Sequence, residues 1–303
     1  MIRSVVTTHE YHLDIGDIEL AITEWPAPAG HDGPDSPVLL LHATGFHSRC
    51  WNEVVRRLPG QHIFAVDLRH HGRSGSIGEV DWNVLTTDII KLVERLDLRE
   101  VIGVGHSIGG YLTARAAAAL PERFREILLI DPVITAPETY EMAKGVSDSF
   151  SASDHPVSRR KNRWKDADEM FTRFKDKPPF SSWDPVVLRD YCDYALQPAS
   201  DEAFQQLACD PLNEASVYIS QAYSDAVLDD LTRLKLPVTL LRAQFKGLDI
   251  TDLSGSPTWP ELAGQIAQCR EVYLPELNHF IPMQDPALVA RHIAEALGTT
   301  ASD

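Results

Sequence analysis

A chain of 303 residues, 44% hydrophobic and 24% charged, can bury one large core and still carry an excursion from it, and no apolar run approaches the roughly 20 residues that a membrane span requires. Its formal net charge of -16 opposes phosphate backbones and anionic headgroups, so neither nucleic acid nor membrane is an expected partner. The four cysteines (Cys50, Cys192, Cys209, Cys269) are scattered, with no CxxC and no close Cys/His spacing; they read as reduced thiols, and no metal site is expected.

The opening segment, MIRSVVTTHEYHLDIGD, has no apolar stretch behind a basic start, which makes the cytoplasm the expected location. Residues 11–25 alternate polar and apolar about a Gly-Asp turn, the pattern of an antiparallel hairpin, and the Pro/Gly/Asp stretch from Pro26 to Pro37 reads as a loop. Short apolar runs follow at 38–43 (VLLLHA), 62–68 (HIFAVDL), 101–106 (VIGVGH) and 126–131 (EILLID), as expected of strands buried on both faces. Between them, helical patterns start at Ser48, at Trp82 and at Ser107, the last stopped by Pro121. From about 134 to 236 the rhythm gives way to a charged, aromatic segment with helical spacing. Alternation resumes with VTLLRA at 238–243, a helix near 259–268, the strand REVYLP at 270–275 and a final helix from Pro286 to Leu297. The sequence therefore predicts one mostly parallel, doubly wound α/β sheet built from 1–133 and 237–303, interrupted by a helical cap over 134–236.

Chemistry concentrates where VIGVGH runs into Gly105-His106-Ser107-Ile108-Gly109-Gly110 and then a helix, the strand, sharp turn and helix that a G-x-S-x-G nucleophile requires. Side chains at Gly105 and Gly109 would collide with the neighbouring strand and helix. A phosphate-binding turn would instead want G-x-G-x-x-G with an acidic strand end about 20 residues on, and Glu122 sits in a loop after Pro121.

A serine hydroxyl needs a base, and His279 follows the last strand on a loop, where open α/β sheets place their sites. The carboxylate that orients such a base has three candidates: Asp131, ending the strand EILLI, and Asp249 or Asp252, after VTLLRA. An oxyanion needs two N–H donors, expected from the backbone of Ile108 and from the loop His42-Ala43-Thr44-Gly45-Phe46, with Phe46 preferred over Thr44. Thr44, His106, Trp164, Trp183 and Phe280 are the expected substrate contacts.

In order along the core, LLHATGFHSRCW, FAVDLRHHGRSG, GHSIGG, LLIDP and LNHFIPMQDP resemble the α/β-hydrolase superfamily. The segments SRRKNRWKDADEMFTRF, PPFSSWDPVVLRDYCDYAL and LACDPLNEASVY are similar to a branch that includes fungal acyl-CoA hydrolases of polyketide pathways, in which the acid follows the sixth strand. That resemblance implies Asp131 as the acid, with Asp249 second, and a homodimer formed through the cap. The chain departs from the family in reading Arg69-His70-His71-Gly72-Arg73-Ser74 where R-G-H-G-x-S is usual, and His42-Ala43 where His-Gly is common.

The expected reaction is acyl transfer to water through Ser107, His279 and Asp131, with no metal or organic cofactor. The aromatic insertion suggests a lipophilic ester or lactone. An acyl-CoA thioesterase is the alternative, for which Arg159, Arg160, Lys161 and Arg163 could hold the CoA phosphates. Two other readings share these residues: a non-catalytic small-molecule receptor, and cleavage of a C–C bond.

Overall fold

In the computed structural model, the described residues are 7–28, 36–147, 151–200, 203–245, 247 and 252–302, without the side chains of 145–147. The strands are β1 (His9–Asp14), β2 (Glu19–Trp25), β3 (Val38–Leu41), β4 (Ile63–Val66), β5 (Val101–His106), β6 (Phe124–Ile130), β7 (Arg163–Trp164), β8 (Leu196–Pro198), β9 (Gln205–Leu207), β10 (Val238–Ala243) and β11 (Cys269–Leu274). Eight of them form one sheet in the order β1-β2-β4-β3-β5-β6-β10-β11. β1 pairs antiparallel with β2, and β2 with β4; every later pairing in this sheet is parallel.

Alternation of side chains along each central strand divides the core into two layers. Leu39, Leu41, Val101, Ile127, Leu129 and Leu240 pack with the helices Trp82–Arg95, Ile108–Ala119 and Val227–Arg233 on one face. Val38, Leu40, Ile102, Val104, Leu128 and Leu241 pack with Asn52–Val55 and Pro286–Leu297 on the other. This is the doubly wound arrangement expected from the apolar runs.

Two expectations need correction. In place of a helix at 259–268 there is only a 3-10 turn, Leu262–Gln265, with Gly264, a poor helix former, in its middle. The pattern starting at Ser48 breaks into a 3-10 turn, Ser48–Trp51, and one α-turn, Asn52–Val55.

The segment inserted between β6 and β10 carries helices Pro137–Ser147, Ala167–Phe174, Pro185–Tyr194 and Pro211–Ser220, together with an antiparallel sheet β7-β9-β8 that its helical spacing did not signal. A third apolar cluster joins Trp164, Met170, Trp183 and Tyr191 of this segment to Ala43, Phe46 and Phe280 of the sheet's loops. At the position where the family usually has the first glycine of R-G-H-G, His70 takes a left-handed conformation with φ 66°; its Nδ1 lies 3.1 Å from Ser76 Oγ.

Helix Ile108–Ala119 crosses the sheet at the closest approach that backbone allows. A Cβ on Gly109 would lie 2.2 Å from the Leu41 carbonyl oxygen, and one on Gly105 would lie 2.1 Å from the Gly109 carbonyl oxygen. Gly109→Ala is therefore expected to lose roughly 2–3 kcal/mol to overpacking, and its thermal midpoint, read by calorimetry, to fall several degrees; an unchanged midpoint would show that the crossing is not tight.

Candidate active site

Ser107 occupies the turn out of β5 with φ 59° and ψ -121°, a conformation that costs an L-residue of order 1–3 kcal/mol and persists only where neighbours over-determine it. Its N–H donates to the Ile130 carbonyl at 3.0 Å, and its carbonyl accepts from Gly110 N–H at 3.0 Å and Val133 N–H at 3.1 Å.

Two side chains from elsewhere in the chain converge on its hydroxyl. His279 Nε2 lies 3.0 Å from Ser107 Oγ, and His279 Nδ1 lies 2.7 Å from Asp131 Oδ2. Asp131 is fully buried at the end of β6. Its other oxygen, Oδ1, accepts from Ala243 N–H at 2.9 Å and from the Ser256 hydroxyl at 2.7 Å. With both carboxylate oxygens accepting, the His279 proton sits on Nδ1, and Nε2 presents its lone pair to the serine hydroxyl. Thr258 Oγ1 is 3.2 Å from Asp131 Oδ1 and 2.8 Å from the Pro132 carbonyl, and its single proton goes to the nearer acceptor. The His279 backbone is fixed as well: its N–H donates to the Ser254 carbonyl at 2.9 Å, and its carbonyl accepts from His106 Nε2 at 2.7 Å.

The other predicted residues divide. Asp252 spends its carboxylate on Ser254, accepting from the N–H at 2.9 Å and the hydroxyl at 2.5 Å; Asp249 lies outside the described residues. Ile108 is buried at the first helical position, where an N–H has no intrahelical acceptor. Phe46 does not fit the second oxyanion position, because its N–H already donates to the Ala43 carbonyl at 3.1 Å. Among the described residues Thr44 N–H makes no such bond, and Thr44 lines the cavity over Ser107. His106 is not a substrate contact either: it lies wholly buried beneath the His279 loop, and burial, with His279 adding, holds its imidazole neutral well below the usual range. Trp164, Trp183 and Phe280 do line the cavity.

That cavity, about 870 Å³, is walled by Phe46, Trp164, Phe174, Phe180, Trp183 and Phe280 and opens onto Ser107 and His279. Sequence reasoning singled out Arg160 and Lys161 among its polar members but missed the partners that engage them. Arg160 Nη1 pairs with Glu214 Oε2 at 2.7 Å and Nη2 donates to the Tyr191 hydroxyl at 2.9 Å. The neighbouring cations are engaged too, Lys161 with Glu169 and over the Trp164 ring, and Arg163 over the Phe204 ring at 4.7 Å; Arg159 is exposed. The SGSPT run at 254–258 was the available signal for Ser256 and Thr258, but hydroxyl residues in a Pro/Gly loop ordinarily read as turn formers. Among the described residues no group of three or more His, Cys, Asp or Glu converges as a metal site, and no helix is long and apolar enough to cross a membrane.

A family model described as "Alpha/beta hydrolase family" matches residues 38–292. Lipase LipV of Mycobacterium tuberculosis is 29% identical over 145 residues, a stretch that spans 45% of this chain and only 55% of that protein. A serine hydrolase-like protein of Danio rerio is 26% identical over 283 residues, covering 88% of this chain and 83% of its own. Among solved structures, the thioesterase domain from the curacin biosynthetic pathway superposes with a TM-score of 0.74 at 20% identity, over 95% of this chain and 99% of that one. At that identity the likeness is one of fold.

Three more histidines lie buried around the site's base. Burial pulls His42 and His47 down to about 4 and His71 to about 3, whereas an unfolded imidazole titrates near 6.5. Unfolding therefore takes up protons below about pH 6.5, so stability is complete above that value and falls as pH drops toward 4. The urea midpoint is expected to be clearly lower at pH 5 than at pH 7; equal midpoints would mean that these rings do not stay neutral in the fold.

Proposed function

This chain belongs to the alpha/beta hydrolase family, and we propose that within it the protein is a serine hydrolase cleaving a carboxylic ester or lactone with a lipophilic acyl group. The observation that carries this reading is the unbroken hydrogen-bond chain from Ser107 through His279 to Asp131, opening into an aromatic cavity. As Ser107 Oγ attacks the carbonyl carbon, His279 Nε2 takes the hydroxyl proton and Asp131 stabilises the imidazolium that forms. The oxyanion is held by the N–H groups of Ile108 and Thr44. Collapse of the tetrahedral species passes the proton to the departing alkoxide and leaves an acyl-serine; His279 then deprotonates a water that releases the acid and restores Ser107.

The insertion over 134–236 is, in this reading, a cap whose aromatic side chains roof the acyl site and exclude water from it. A thioester with a CoA tail is less well supported: of the four cations expected to meet its phosphates, Arg160 and Lys161 are already paired with Glu214 and Glu169.

p-Nitrophenyl esters of rising acyl length test the proposal. Wild type is expected to turn over many times and to favour medium over short chains. Ser107→Ala abolishes turnover, and Asp131→Asn lowers kcat by roughly 10³–10⁴-fold by stabilising the wrong His279 tautomer, while Asp249→Asn stays near wild type. Turnover that survives Ser107→Ala would overturn the mechanism, and a single turnover without cycling would point to a receptor.

A further inference from the structure

The cavity is not uniformly apolar. On the wall formed by helix Pro211–Ser220, Glu214 is buried with its side chain only 5% exposed, and it lines the same space as Ser107, Thr44 and Tyr191. Its two oxygens differ. Oε2 is committed to Arg160. Oε1 has no hydrogen-bond partner among the described residues, yet it is not one of the side-chain atoms sealed from solvent. It is also pressed against the loop that follows β3: a Cβ on Gly45 would fall 2.3 Å from Glu214 Oε1, and Gly45 adopts φ +79°. An unspent acceptor therefore stands against the loop that carries Thr44, whose N–H is the proposed oxyanion donor, on the wall of the cavity that opens onto Ser107.

Arg160 decides what that acceptor can take. Its guanidinium carries five N–H donors, of which one meets Glu214 and one the Tyr191 hydroxyl. The rest belong to a group that also lines the cavity. The pair has no net charge. A substrate ammonium would meet Arg160, a substrate carboxylate would meet Glu214, and either is repelled by one partner while attracted by the other. A hydroxyl suffers neither penalty, because it donates to Oε1 and accepts from an N–H of Arg160 or from the O–H of Tyr191, whose oxygen already accepts from Arg160. A methylene in its place would strip water from a carboxylate oxygen and return no hydrogen bond.

We propose that Arg160 and Glu214 form a hydroxyl-recognition subsite, and that the preferred substrate is a hydroxyacyl ester or lactone with its hydroxyl on the second or third acyl carbon and its apolar remainder on the aromatic wall. The inference rests on the hydrolase reading given above and narrows it to a substrate class.

The test compares phenyl butyrate with phenyl 2-hydroxybutyrate and phenyl 3-hydroxybutyrate, each kcat/KM being divided by that ester's rate with hydroxide to remove its intrinsic reactivity. Wild type is expected to favour one hydroxy ester by about 100-fold or more, as sites built to bond a hydroxyl do. In Arg160→Met/Glu214→Leu, which replaces the pair with apolar side chains of similar volume, the preference falls to near unity. Glu214→Asp keeps the ion pair but draws the carboxylate back from Gly45, and it loses at least about 10-fold of the preference. The second variant keeps the test decisive if circular dichroism shows the first to be unfolded. Equal normalised rates in wild type, or a preference that persists in a folded variant, would overturn the subsite and leave the hydrolase reading intact. Failure of wild type to turn over any of the three esters or the p-nitrophenyl series would overturn both.

Discussion

The crossing of helix Ile108–Ala119 over β3 and β5, with Gly109 against the Leu41 carbonyl and Gly105 against Gly109, fixes the height at which Ser107 emerges from the sheet. Any Cβ at those contacts would lift the helix and with it the first free N–H groups at its start. The same crossing holds the serine in its left-handed conformation, because the turn is bonded to β6 at Ile130 and to Val133 beyond it. Strain in the Ser107 backbone is thus sustained by two buried central strands of the sheet, a part of the fold with little freedom to relax.

Local features were the most legible in the sequence. The central strands are runs of buried apolar residues with little polar interruption, and Ser107 announces itself because steric need writes glycines on either side of it. His279 could be picked out by its place after a strand near the chain's end. Features that depend on which backbone group meets which side chain were not legible. Phe46 and Thr44 differ only in that the loop's own turn uses one N–H and leaves the other. His106 stands next to Ser107 in the chain, but alternation along β5 and the turn send its ring under the loop it supports. The Arg160–Glu214 pair joins residues 54 apart, and no periodicity encodes it. Gly264 was visible in the middle of the helix expected near 259–268, where only a 3-10 turn forms.

Helix Val227–Arg233 ties the inserted segment to the sheet's core, and over the site the two are joined through aromatic contact. Phe46 stands edge-on to Trp183 and Tyr191, each with ring centroids 5.4 Å away. Trp183 also packs at 5.3 Å on Phe280, the residue after His279. The rings that close the cavity thus brace both the loop that carries Thr44 and the loop that carries His279. The shape of the cavity and the placement of His279 beside Ser107 are coupled by packing, so under the proposed mechanism a change in the roof would reach the chemistry without touching a reacting atom.

Asp131 has one more consequence, which lies in ancestry rather than in chemistry. Because this carboxylate directly follows β6, the strand paired with β5 ahead of Ser107, the loop after β10 owes the proposed triad no acid, only the hydroxyl of Ser256 and the Ser254 carbonyl. Mutational drift there need conserve no charge. Under the proposed triad, removing a charge from that loop is expected to leave the relay intact, because only a small hydroxyl at Ser256 and a backbone carbonyl at Ser254 act on it.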